Sequence, residues 1–167
     1  MKIDRCFVVR CSLLLFPLFV LANSVTAQSK SDKDACSKPN PAQLCNASNT
    51  CGSASTPCVV DVKRTAYAAS STASIQNAKS NALFCVKPGT TVTWKSTAKD
   101  IGFVVDVGSA SPFDPPGAII GGSDREVSVK ASKPGCYKYS AGACAAGATR
   151  GMCGTANSEL IITTGGN

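Results

Sequence analysis

At 167 residues, with a formal net charge of +7, ten cysteines and no histidine, the chain is sized for one ordinary domain and lacks the commonest general base. The missing imidazole excludes His-based catalysis and any metal site that needs a histidine ligand. Basic residues stand singly apart from Lys63-Arg64, without interleaved aromatics, which argues against a nucleic-acid groove and leaves a soluble, mildly basic surface.

Residues 1–27 read as a signal peptide. Lys2, Arg5 and Arg10 form a positive start, Cys11 to Ala22 an apolar run, and Val25-Thr26-Ala27 a small-residue cleavage site before Gln28. The run is about a dozen residues long, against about 20 needed to span a bilayer, so cleavage is expected and no transmembrane segment follows. The mature chain carries 14 basic and 9 acidic residues, about +5. It also keeps Cys36, Cys45, Cys51, Cys58, Cys85, Cys136, Cys144 and Cys153. An even number in an exported chain implies disulfides and a periplasmic or secreted protein. A metal cluster would want Cys-x-x-Cys spacings, which do not occur.

Residues 28–57 are rich in Lys, Ser, Asn and Pro and cannot order themselves around a core. They are expected to form an irregular extension pinned by its own disulfides. A domain over 58–167 follows, with short strands between turn signals, as in a sandwich. The expected strands are Cys58 to Val62, Leu83 to Lys87, Thr90 to Lys95, Gly102 to Val107, Glu126 to Lys130, Cys136 to Ser140 and Ser158 to Thr163. Residues 65–80 suggest a loop or one short helix, and 108–124 and 141–157 suggest loops rich in Gly and Pro or in small residues. The expected core is Val60, Val62, Phe84, Val86, Val92, Trp94, Val104, Val127, Val129, Tyr137, Tyr139 and Ile162.

Three segments in this order resemble the cupredoxin family, the plastocyanin and azurin type. Pro88-Gly89-Thr90-Thr91-Val92-Thr93-Trp94 is similar to its Pro-Gly-x-x-Val-x-Trp strand, Gly135-Cys136-Tyr137-Lys138-Tyr139 to its penultimate strand, and Leu160-Ile161-Ile162 to its last. The resemblance runs from about Cys58 to Thr163 and implies an all-β, Greek-key β-sandwich of seven or eight strands behind the extension. It also implies a type 1 copper centre of two imidazoles, a thiolate and an axial Met. The ligand positions fall near Gly102, Ala141 and Cys144, so the family's site is missing. Only Met152 is similar to an axial ligand.

The soft alternative, Cys144 with Met152 and Cys153, would suit Cu(I) in a copper-handling or electron-transfer protein. The competing reading is a Cys144–Cys153 disulfide, which would contribute about 2.7 kcal/mol by closing a loop of about ten residues. That reading is favoured in an oxidising compartment. The simplest pairing joins the cysteines at 36, 45, 51 and 58 among themselves, leaving Cys85–Cys136. No catalytic residue stands out: the carboxylates show no acid–base spacing, and Gly121-Gly122-Ser123-Asp124 precedes a strand and reads as a turn. Asn46-Ala47-Ser48 matches a glycosylation acceptor. The expectation is a non-enzymatic, cofactor-free, copper-free module that binds an extracytoplasmic partner or serves envelope structure.

Overall fold

Alternation along Thr91-Val92-Thr93-Trp94-Lys95 puts Val92 and Trp94 on one face, and both are fully buried in the computed structural model. The structure describes residues 34–65, 68–75, 83–145 and 153–165. The expected signal peptide and Met152 lie outside them. The described residues contain ten strands and no α-helix: β1 (Cys58–Thr65), β2 (Ala68–Ala73), β3 (Leu83–Val86), β4 (Thr91–Lys95), β5 (Ile101–Asp106), β6 (Phe113–Asp114), β7 (Ile119–Gly122), β8 (Val127–Ala131), β9 (Gly135–Ala145) and β10 (Cys153–Ile162). None of these elements is a helix long and apolar enough to cross a membrane.

The strands form two mixed five-stranded sheets. The first has the order β2-β1-β4-β8-β6 and the second β3-β10-β9-β5-β7. The β1/β4 and β3/β10 pairs are parallel and the others antiparallel. One apolar cluster draws on both sheets, including Val60, Val62, Phe84, Val92, Trp94, Phe103, Val105, Tyr139, Leu160 and Ile162. Each such side chain removed from water contributes about 1.5–3 kcal/mol. The Trp94 ring lies edge-on to Phe84, Phe113 and Tyr139, with centroids 5.5–6.3 Å apart. These separations suit the edge-to-face attraction of aromatic quadrupoles.

Several expectations are corrected. The described residues hold ten strands, where the sequence suggests seven or eight. Ala68–Ala73 is a strand inside the stretch read as a loop or helix, because its burial alternates and it pairs with β1. The proline-rich loop holds β6 and β7. Much of the stretch read as the loop 141–157 is a continuation of β9 and β10, which pair over ten residues from Cys153↔Cys144 to Ile162↔Gly135. Val104 is 41 % exposed: the inward phase of β5 is Ile101, Phe103 and Val105, and Val104 takes the opposite face. Val127 and Tyr137 are only partly buried and pack at the margin of the core.

The disulfides also differ from the expected set. Cys51–Cys58 is local to the extension, but Cys36 joins Cys136 and Cys45 joins Cys85, so no Cys85–Cys136 bridge exists. The extension lies on the outer face of the second sheet. There Ala35, Leu83, Cys85 and Ile161 form a second buried cluster, flanked by Leu44, Cys45 and Cys136. The Cys51 N–H donates to the Cys85 carbonyl and the Cys85 N–H to the Asn49 carbonyl, each at 2.8 Å. Thr50 thus forms a parallel bridge beside β3 and covers that sheet edge.

Candidate functional site

Directly opposed residues in a ladder point their side chains to the same face, so register shows which positions converge. Gly102 on β5 lies opposite Cys144 on β9, and Val105 lies opposite Ala141. Of the positions at which the cupredoxin resemblance places its ligands, Gly102 and Cys144 are opposed on the outer face of the second sheet, whereas Ala141 lies three residues along β9 on its inner face. Their side chains do not suit type 1 copper. Gly102 has no side chain, and Ala141 is fully buried in the core. Cys144 is bonded to Cys153, the residue directly opposite it on β10, across a Cα separation of 4.2 Å. A sulfur held in a disulfide is not a thiolate ligand. Among the described residues, no group of three or more His, Cys, Asp or Glu is placed to hold a metal ion.

The outer face of the second sheet divides in two. The extension covers the end near β3 and reaches β9 through Cys36–Cys136, and the outward residues of β5 and Ile120 on β7 stay exposed. A groove of about 580 Å³ lies along the boundary, lined by Asp106, Gly108, Lys138, Ser140, Asn157 and Ser158 among others. Asp106, Ser140 and Asn157 stand in one row across β5, β9 and β10, and the next row pairs Lys138 with Glu159. The Asp106 carboxylate accepts the Gly108 N–H at 2.8 Å, which fixes the loop leaving β5. Lys138 Nζ sits 3.8 Å from the Asp34 carboxylate, an exposed pair worth little on its own. Carboxylate, ammonium, hydroxyl and amide thus face one polar groove, able to hydrogen-bond a polar ligand.

Beneath the groove, the Tyr139 hydroxyl meets Ser71 Oγ at 2.8 Å, and Ser71 meets Ser158 Oγ at 3.2 Å. Burial pushes the Tyr139 phenol up, and the hydrogen bonds from Ser71 and Ser158 oppose this without cancelling it. The phenol is therefore neutral at physiological pH, and the network ties β2 of one sheet to β9 and β10 of the other.

The remaining sequence candidates stay apart. Gly121 to Arg125 turns the chain between β7 and β8, with the Gly122 N–H donating to the Arg125 carbonyl at 3.0 Å. Asp61 on β1 is held by Thr97 and Lys63, and Asp114 on β6 lies opposite Lys130. Asn46 is exposed, and its Oδ1 accepts the Ser48 N–H at 2.9 Å and the Ser48 hydroxyl at 2.5 Å. Sequence reasoning missed the Asp106–Ser140–Asn157 row. Its only signal was the alternation along each strand, and the registers that align the three are long-range.

Comparisons with protein families, with curated proteins and with solved structures find no match to this chain.

Proposed function

We propose that this chain is an exported, non-enzymatic, cupredoxin-like module without a type 1 copper site, which acts in the periplasm or after secretion by binding or in envelope structure. One observation carries the reading: the positions to which the resemblance points offer a bare backbone at Gly102, a methyl buried in the core at Ala141 and, at Cys144, a sulfur already bonded to Cys153. The two-sheet architecture supports the family resemblance, and four disulfides fit an oxidising compartment. The groove over Asp106, Ser140 and Asn157 is where we place binding.

The copper-handling alternative needs thiolates at Cys144 and Cys153, and the disulfide between them weighs against it. Copper titration of the oxidised protein tests the choice. The expected result is no intense thiolate-to-copper absorption and no free thiols under denaturing, non-reducing conditions. A copper band that disappears in Cys144→Ser would establish the alternative instead.

A further inference from the structure

We propose that the Cys144–Cys153 disulfide is a thiol-exchange site, opened by an external dithiol that attacks Cys144 Sγ over Gly102 while the other three disulfides stay closed. The inference is independent of any family resemblance and rests on access, on the shape of the surrounding face and on what the bond holds together.

Access separates the four bridges. Cys51 and Cys58 are 1 % and 0 % exposed, and Cys85 closes its bridge at 0 %. Cys36, Cys45 and Cys136 are half-buried. Cys153 alone among the eight is exposed, and its partner Cys144 is half-buried on the outer face. Exchange requires both a lane to the attacked sulfur and a well-stabilised leaving thiolate, so the exposed Cys153, whose thiolate water can solvate, marks this bridge and is its leaving group.

The attacking sulfur must approach nearly in line with the bond it breaks, from the side of the target sulfur away from its partner. Cys153 is opposite Cys144 on β10, so the lane to Cys144 Sγ comes from β5, where the opposed residue is Gly102. Gly102 is exposed and puts no side chain in that lane. Beyond it, a depression of about 410 Å³ opens, lined by Gly102, Ile120, Asp124 and Arg125 among others, large enough for a small dithiol.

The bond is also not the only link between its two strands. It spans 9 residues, and the β9–β10 ladder beside it is ten pairs long. The Cys36–Cys136 and Cys45–Cys85 bridges span 100 and 40 residues and fasten the extension. Opening Cys144–Cys153 therefore leaves two thiols opposed across the β9–β10 ladder, ready to close again.

The chemistry balances as two exchanges. A thiolate of the dithiol forms a bond to Cys144 Sγ, the Cys144–Cys153 bond breaks, and Cys153 leaves as a solvated thiolate. The second thiol, deprotonated, then attacks the reagent's own sulfur in the mixed disulfide and expels the Cys144 thiolate. The dithiol loses two electrons and becomes a cyclic disulfide, while both cysteines take up protons.

Dithiothreitol titration of the folded protein, with alkylation and peptide mapping, tests the site. Cys144 and Cys153 should be alkylated first, with the other six cysteines protected. A parallel reaction with glutathione should leave the adduct on Cys144 and a free thiol on Cys153. Tryptic cleavage after Arg150 separates these two cysteines. In Gly102→Val the pair should open at least about tenfold more slowly at unchanged melting temperature, because access to the attacked sulfur governs the rate. Among the described residues, a Cβ at Gly102 has only the Gly121 carbonyl oxygen near it, at 3.9 Å, so the variant has room to fold. Opening of another bridge first, adducts on Cys153, or an unchanged rate in Gly102→Val would each overturn the proposal.

Discussion

The carboxylate of Glu159, 2 % exposed on β10, accepts the backbone N–H of Ala35 at 2.7 Å and that of Cys36 at 3.3 Å. One side chain of the sandwich thus satisfies two donors of the extension beside the Cys36–Cys136 bridge. A polar segment with little apolar surface orders here because covalent and charge-assisted bonds hold it to the second sheet. Glu159→Ala should destabilise the protein by about 1.5–3 kcal/mol, as expected for hydrogen bonds to a charged group. Hydrogen exchange should quicken at Ala35 and Cys36 while β4 and β8 keep their protection. Uniform loss of protection would contradict this local role.

Trp94 is the centre of the core, buried completely, with three aromatic neighbours. Trp94→Ala should cost about 3–5 kcal/mol in denaturant unfolding. Its indole N–H has no hydrogen-bond partner among the described residues, so Trp94→Phe gives up apolar volume but no hydrogen bond. The phenylalanine variant should be distinctly more stable than the alanine variant.

Strand phase was the most legible feature. Val60, Val62, Val92 and Trp94 are buried as their alternation with polar residues indicates. Val104 follows the same logic in reverse, since Ile101, Phe103 and Val105 outvote it within β5. Two kinds of feature were hidden. Strands built from small residues, such as Ala68–Ala73 and the far ends of β9 and β10, carry weak propensity and become strands through their neighbours. Long-range pairing was the other: Cys36–Cys136 spans 100 residues, and no local pattern reveals which strand the extension crosses. The groove depended on the same missing registers.

Asp61 gives stability a measurable acid dependence. Burial raises the pKa of its carboxyl, but hydrogen bonds from the Thr97 side chain and N–H, with Lys63 beside it, outweigh burial and leave it below its ordinary value of 3.8. A carboxyl depressed in the folded state binds fewer protons there than in the unfolded chain. Its contribution is therefore fully present above pH 3.8 and is lost as pH falls through the lower folded value. Asp61→Asn should be less stable than the parent at pH 6, with the difference shrinking between about pH 4 and pH 2. A difference that stays constant over that range would rule out this assignment.

Gly154 marks a close approach of β10 to the backbone of β2. It is buried on β10, and a Cβ built there would stand 2.2 Å from the carbonyl carbon of Ala68 and 2.6 Å from the nitrogen of Ala69. Both are backbone atoms, so no rotamer change relieves the clash, and β2 must move as a unit. That movement pulls Ser71 away from Tyr139 and Ser158, whose hydroxyls it links across the sandwich. Gly154→Ala should therefore destabilise by about 1–3 kcal/mol or more, the range for overpacking a close contact. Near-ultraviolet circular dichroism should also change, because Tyr139 loses a fixed partner. Tyr139→Phe separates the two effects: it removes the hydroxyl without moving β2 and should cost about 1 kcal/mol. If Gly154→Ala cost no more than Tyr139→Phe, β2 would be free to shift and the backbone approach would not constrain the fold.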